Sequence, residues 1–147
     1  MTEISATWAR RLKDVYLSRV RGPVFEEMVR AWMRRFASDE TLPIRHSIGP
    51  SSVSIAGKEM EIDVLVANDS EVPADRRIFA IGEAKSGGTL TSAHLADLGR
   101  KRAAFGERAF GAKLFLFGPR ASSQLVDEAH RRPDVEIVDL DRLYYGS

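Results

Sequence analysis

Apolar residues in the first part of the chain recur every three to four positions, which is the spacing of one face of an α-helix. Residues 4–20 carry one such stripe and predict a first helix. Gly22 and Pro23 then interrupt the pattern. Because proline is well tolerated in a first helical turn, a second helix is predicted to begin there and to run to Phe36. Its apolar face consists of Phe25, Met28, Val29, Trp32 and Phe36.

The pattern after residue 42 changes to the alternation of β-strands. "LPIRHSIG" is predicted as a short strand that ends in a turn at Gly49–Pro50, and a second turn is predicted at Gly57–Lys58. In the next strand, "EIDVLVA", alternation puts Ile62, Val64 and Val66 on one face. The same alternation puts Asp63 on the opposite face.

A further strand, "RIFAIGEAK", ends at a short "SGG" loop. Its alternation predicts one shared face for Phe79, Ile81, Glu83 and Lys85. A strand interior is an unfavourable place for ionised carboxylates without partners, so Asp63 in one strand and Glu83 in the next require a specific explanation.

From residue 91 onward, predicted helices alternate with short apolar strands. Thr91 or Ser92 is a suitable N-cap for a helix through "AHLADLGRKRAAF", and Ser122 or Ser123 for one through "QLVDEAHRR". "KLFLFG" and "VEIVDL" are predicted strands. Strands joined by helical crossovers imply a mixed sheet with a parallel part and helices on both faces. The predicted fold class is therefore α/β with three layers, α/β/α.

Composition narrows the functional classes. The chain has 147 residues, 44% of them hydrophobic and 29% charged, which is typical of a single folded domain. No apolar run approaches the roughly 18 to 20 residues of a membrane span, and the N-terminus lacks a signal-peptide pattern, so a cytoplasmic protein without membrane contact is expected. The absence of cysteine excludes disulfides, a thiol nucleophile and thiolate zinc sites.

The net charge of +1 conceals two basic clusters, one within residues 1–36 and one within residues 100–113. Both are consistent with solvated helix faces. They are also consistent with a surface that contacts nucleic-acid phosphates. The arginines predicted to form such a surface are Arg30, Arg34, Arg100 and Arg102.

Adjacent strands that bring Asp63 and Glu83 to one end of a sheet would form an oxygen-only ligand pair. Such ligands suit Mg²⁺ or Mn²⁺, which also retain waters and accept phosphate oxygens. Lys85 would add an ammonium able to orient the attacking water and to offset the negative charge that develops on phosphorus. These are the components of a phosphodiesterase site.

With these residues in place, the chain resembles the PD-(D/E)XK nuclease superfamily, whose core is helix, three antiparallel strands, helix and strand. More narrowly, it resembles the nuclease-like domain at the C-terminus of prokaryotic AAA/STAND-type ATPases. The resemblance rests on "GPVFEEMVRAW", "EIDVLV", "IGEAKSG" and "VEIVDLDRLYYG" and spans roughly residues 20–145. It implies a restriction-endonuclease-like α/β/α domain over residues 21–147, with residues 1–20 as a separate N-terminal helix.

The resemblance also implies roles for individual residues. Asp63 and Glu83 hold Mg²⁺ or Mn²⁺, Lys85 activates water, and Glu26 on the second helix assists. The expected substrate is DNA, a homodimer is possible, and the expected partner is an ATPase domain in the full-length protein. The chain itself carries no phosphate-binding loop, since Gly57–Lys58 is followed by Glu59 instead of serine or threonine.

Three alternatives remain open at this level. Glu26 could instead form an i,i+4 ion pair with Arg30, or Glu27 could be the relevant carboxylate. Lys85 could be only an ion-pair partner of the two acids. The whole domain could be a catalytically silent module that binds nucleic acid or regulates an ATPase. His94, which follows the "SGG" loop, is a further candidate for contact with a phosphate.

Overall fold

The computed structural model describes residues 23–36, 46–68 and 76–145. The predicted first helix, the domain boundary at residues 20 and 21, and the beginning of the "LPIRHSIG" strand lie outside these segments. Among the helices of the described segments, none has the length and apolar character needed to cross a bilayer.

The centre of the fold is a five-stranded mixed sheet whose spatial order follows the chain order. Neighbouring strands are antiparallel from β1 to β3 and parallel from β3 to β5. Strands β3, β4 and β5 are parallel because a helical connection after β3 and another after β4 return the chain to the end of the sheet where the preceding strand began. The strands are β1 His46–Ile55, β2 Lys58–Asn68, β3 Ile78–Ala84, β4 Lys113–Phe117 and β5 Val135–Val138.

Helices cover both faces of this sheet, which confirms the predicted three-layer α/β/α class. The helices are α1 Pro23–Phe36, α2 Ser92–Phe105, α3 Ser123–Arg131 and α4 Leu140–Tyr145. The apolar sides of α1 and α4 pack into one core cluster, and those of α2 and α3 into the other. Side chains of β4 alternate between the two cores, with Phe115 and Phe117 on the α1 side and Leu114 and Leu116 on the α2 side.

The hairpin between β1 and β2 is a two-residue turn. Ala56 and Gly57 have φ angles of 53° and 78°, the left-handed conformation that tight hairpin turns require at both central positions. The predicted turn at Gly57–Lys58 is therefore nearly in place. The predicted turn at Gly49–Pro50 is wrong, because β1 runs through it. Pro50 is tolerated there because β1 is at the edge of the described sheet, where no second strand needs the missing N–H.

A β-bulge interrupts β2 opposite Pro50. Gly49 pairs with Leu65 and Ser51 pairs with Ile62, so one residue of β1 faces both Asp63 and Val64. The extra residue reverses the facing of the strand. Val64 therefore packs into the α1-side core and Ile62 into the α2-side core. The prediction that these two side chains share a face is wrong for this reason.

A second irregularity occurs in β3. Val66 pairs with Ala80 and Ala67 pairs with Ile78, which leaves Phe79 as an extra residue. Phe79 consequently packs against the α1-side core, while Ile81 lies in the α2-side core. The predicted shared face of Phe79 and Ile81 is wrong. Simple alternation, counted from either end of the strand, does not allow for an inserted residue.

Candidate functional site

Strands β2 and β3 separate where the two predicted acids lie. The last pair near this end of the ladder is Val64 with Gly82. Beyond it, β2 pairs only with β1, whereas β3 continues alongside β4 through Glu83 and Ala84. We call this point of separation, with Asp63 on one branch and Glu83 on the other, the strand fork. The bulge at Asp63 contributes to the separation because it disrupts regular pairing.

Asp63 bridges the two branches of the fork. Its Oδ2 accepts a hydrogen bond of 2.8 Å from the backbone N–H of Ala84, a group that a regular ladder would have used. Its backbone carbonyl accepts a bond of 3.3 Å from the guanidinium of Arg30. The Arg30 side chain is only 14% exposed, so it anchors the bulged backbone from α1. The Asp63 carboxylate is thereby fixed next to the residue that follows Glu83.

Glu83 is a desolvated carboxylate with an unused oxygen. Burial is the main cause that raises its pKa, and the negative charge of Asp63 raises the pKa further. The ammonium of Lys101 acts in the opposite direction and lowers the pKa of Glu83. Oε2 of Glu83 is buried and accepts no hydrogen bond from any described residue. A buried, unpaired carboxylate oxygen beside a second carboxylate is a group that a cation would satisfy.

The donor set fits a hard divalent cation that retains water. Within the described residues, no group of three or more His, Asp or Glu side chains is arranged to hold a metal. Mg²⁺ does not need one, since it is commonly bound through one or two carboxylates plus waters and substrate phosphate oxygens. Asp63 and Glu83 would supply those two carboxylates.

Glu26 faces the same region from α1. Burial raises its pKa, as do the charges of Asp63 and Glu61, while Arg30 lowers it. Glu26, Glu61 and Asp63 line one open cavity of about 560 Å³. The structure therefore brings Glu26 and Asp63 to a common cleft.

Glu27 differs from Glu26 in its surroundings. The guanidinium of Arg30 bonds to Glu27 at 3.0 Å, and that of Arg34 bonds to it at 3.3 Å. These bonds to the arginines lower the pKa of Glu27, which is an exposed residue. The ion pair on this turn of α1 thus uses Glu27, and Glu26 is left facing the cleft.

Lys85 follows directly after β3. Its backbone N–H continues the parallel pairing by donating to the carbonyl of Phe117 at 2.8 Å. Its side chain runs beside Gly88, where an added Cβ would lie 3.0 Å from Lys85 Cε. The ammonium makes no ion pair within the described part of the chain. The alternative in which Lys85 serves only as an ion-pair partner of the two acids is therefore not the arrangement of this structure.

His94 belongs to a polar stripe on α2 whose other two members, Asp97 and Lys101, were not predicted as site residues from the sequence. Lys101 is 6% exposed and is the only charged side chain among the described residues that is buried. Its ammonium donates to the carbonyl of Glu61 at 2.8 Å and lies 3.2 Å from Asp97. It thus ties α2 to the branch of β2 that has left β3. The detectable signal was the i,i+4 spacing of Asp97 and Lys101 on the helix that follows the acidic strand.

The four predicted phosphate-binding arginines do not form one surface. Arg30 and Arg34 belong to α1, and Arg100 and Arg102 belong to α2 on the opposite face of the sheet. Arg102 bonds to the carboxylate of Asp134 and to a backbone carbonyl, both at 2.9 Å. Those partners precede β4 and β5, whereas Glu83 lies toward the other end of the parallel strands. The position of Arg102 therefore does not fit the predicted rim, while Arg34 and Arg100 are exposed.

Comparisons of this chain with protein-family models, with curated proteins and with solved structures find no match.

Proposed function

We propose that the strand fork is the active site of a Mg²⁺- or Mn²⁺-dependent phosphodiesterase that acts on DNA. The observation that carries the proposal is the buried Oε2 of Glu83, which has no hydrogen-bond partner among the described residues and lies near the negative charge of Asp63. An unsatisfied buried polar atom is costly, and functional sites are where such costs are commonly found. The resemblance of the motif residues to the PD-(D/E)XK nucleases points to the same chemistry.

Each residue of the site has a separate role in the proposed hydrolysis. Asp63 and Glu83 would hold the cation, which when bound lowers the pKa of a coordinated water and offsets phosphate charge. Lys85 contributes an ammonium that forms no ion pair with a described residue and would stabilise the additional negative charge on phosphorus in the transition state. Glu26, which lines one cavity together with Asp63, would accept a hydrogen bond from the attacking water. Hydrolysis forms a bond between the water oxygen and phosphorus, with one water proton passing to Glu26 or to solvent, and breaks the phosphorus–oxygen bond to the leaving group, whose oxygen takes up a proton from solvent.

The proposal extends to the setting of the protein. As expected from the sequence, it includes a cytoplasmic location, an ATPase domain as partner and a possible homodimer. A dimer would supply two strand forks, which is the simplest way for one catalytic site per chain to cut both strands of a duplex.

A second candidate function is a catalytically silent module that binds nucleic acid or regulates an ATPase. The dispersal of the four arginines favours it. Arg30 is committed to the bulge at Asp63, and Arg102 to Asp134. A nuclease needs a continuous positive surface next to its metal, and this pair of arginines does not contribute to one.

The test is a cleavage assay with plasmid and oligonucleotide substrates in Mg²⁺, Mn²⁺ or EDTA. We expect wild-type protein to cut in the presence of either metal and to stop in EDTA. Asp63→Ala should abolish cleavage and weaken cation binding together, because one residue provides both functions. Arg131→Ala, an exposed arginine on α3, is the matched control and should cut normally. Binding of DNA without cleavage in any metal would favour the silent module.

A further inference from the structure

His94 makes an unusual cap at the start of α2. Its Nδ1 accepts a hydrogen bond of 2.9 Å from the backbone N–H of Thr91, the N-cap residue of the helix. The hydroxyl of Thr91 lies 3.1 Å from the same nitrogen. A glutamate or glutamine usually occupies this third helical position and plays this part in a capping box. Histidine therefore satisfies the cap with one ring nitrogen and retains a second.

The cap fixes the tautomer of the ring. A backbone amide can only donate, so Nδ1 must be the unprotonated nitrogen and Nε2 must carry the hydrogen. Within the described segments, this Nε2–H has no hydrogen-bond acceptor: the contacts of His94 are those of Nδ1. The ring is half-buried, so it is held in place and still reaches solvent. His94 is a preoriented hydrogen-bond donor without a partner among the described residues.

The donor lies beside the strand fork. Positions 94, 97 and 101 fall on one face of α2, and Lys101 of that face reaches the fork through the carbonyl of Glu61. The first turn of α2 follows the loop after Lys85, and the ring lies near enough to Glu83 that its protonated form would lower the pKa of that carboxyl. His94 therefore lies on the Glu83 side of the fork and Lys101 on the β2 side.

We propose that His94 is a substrate-binding residue whose Nε2–H donates to a phosphate oxygen of DNA seated over Asp63 and Glu83. The inference rests on the proposed function for the identity of the site and adds a specific contact to it. A neutral donor suits this place, because it recognises a phosphate oxygen without adding a positive charge that would repel the cation.

Two neutral substitutions separate the cap from the donor. The side-chain oxygen of asparagine takes the place of Nδ1 and can still accept from Thr91, but asparagine has no atom at the place of Nε2. The amide nitrogen of glutamine takes the place of Nε2 and can still donate. His94→Asn should leave thermal stability near wild type and weaken binding of a fluorescein-labelled DNA duplex about tenfold, the loss typical of one hydrogen bond to a charged group. His94→Gln should bind within about twofold to threefold of wild type, a loss well under one hydrogen bond.

The exposed His130 on α3 offers a matched control, and His130→Asn should have no effect on binding. Anisotropy titrations are run in EDTA, so that binding is read without cleavage, and cleavage is measured separately in Mg²⁺. If His94→Asn binds and cuts like wild type, His94 is only a cap and the inference is overturned, while the phosphodiesterase stands. If wild type binds DNA but never cuts and His94→Asn weakens binding, the phosphodiesterase fails and the contact stands. If wild type does not bind DNA, both fail.

Discussion

Replacing Glu83 by glutamine should stabilise the protein in the absence of metal. The same replacement should abolish its binding of a divalent cation. The side chain is half-buried, its Oε2 is buried without a hydrogen-bond partner among the described residues, and Asp63 repels it. An unsatisfied buried polar atom costs about 1–3 kcal/mol, and charged groups cost more. Glutamine removes the charge but keeps a buried polar group, so we expect recovery of about 1 kcal/mol. For a chain of this length, that corresponds to an increase in Tm of roughly 2–4 °C.

The pH dependence of stability gives an independent prediction of whether Glu83→Gln is more or less stable than wild type. Glu83 has a pKa above its ordinary value of 4.5 in the folded protein. Between that ordinary value and the raised one, the folded chain binds more protons than the unfolded chain, so stability falls as pH rises. The stability difference between Glu83→Gln and wild type should therefore grow from about pH 4.5 upward and level off once Glu83 is ionised in both states. Taking this difference cancels the other carboxyl groups, including Glu26, whose pKa is also raised.

The assay is thermal unfolding in EDTA and in Mn²⁺ across this pH range. Mn²⁺ should raise the Tm of wild type, because it binds the folded state, and should have little effect on Glu83→Gln. Glu107→Gln, at an exposed position, is the control and should change stability by less than about 0.5 kcal/mol. A Glu83→Gln protein that is less stable than wild type in EDTA would refute the reasoning, since the carboxylate would then be a net stabilising group.

Three further substitutions test the surroundings of the fork. Gly82→Ala should lower the free energy of unfolding in urea by about 1–3 kcal/mol, because the added Cβ would lie 2.5 Å from Val64 Cγ1 in a packed core. Stability equal to wild type would contradict this packing. Lys101→Met should cost about 1–3 kcal/mol, because the carbonyl of Glu61 loses its donor; an unchanged urea midpoint would contradict a structural role for that bond. Arg30→Met should weaken Mn²⁺ binding roughly tenfold in calorimetry, because Asp63 loses the residue that holds its backbone in place. Unchanged affinity would mean that the bulge at Asp63 keeps its geometry without Arg30.

Much of the fold followed from local sequence signals. The helix that begins at Pro23 and the N-caps at Thr91 and Ser122 were predictable, since each rests on residues within one helical turn. The mixed sheet and its helical layers followed from the order of elements. The wrong predictions of which side chains share a face, for Ile62 with Val64 and for Phe79 with Ile81, have a common cause: a β-bulge depends on pairing with a distant strand, and the sequence of one strand does not record it.

The candidate site was also partly predictable, to the extent that it depends on local sequence signals. Asp63 and Glu83 stood out because charges within apolar strands are costly wherever the strands lie. The role of Arg30 at the bulge and that of Lys101 at the carbonyl of Glu61 depend on contacts 33 and 40 residues apart. Their charges made both resemble surface residues. Only the packing of α1 and α2 against opposite faces of the sheet distinguishes them from exposed neighbours such as Arg100.

The central claim is that the strand fork is a metal-dependent phosphodiesterase site in which Lys85 stabilises the transition state. The cleavage rate of Lys85→Ala at saturating Mn²⁺ tests this claim most directly. Saturation is established for each protein by calorimetric titration. The ammonium repels the cation but stabilises the transition state, so the variant should bind Mn²⁺ at least as tightly as wild type and cut at least ~10²-fold more slowly. Cleavage by Lys85→Ala at the wild-type rate would contradict the account.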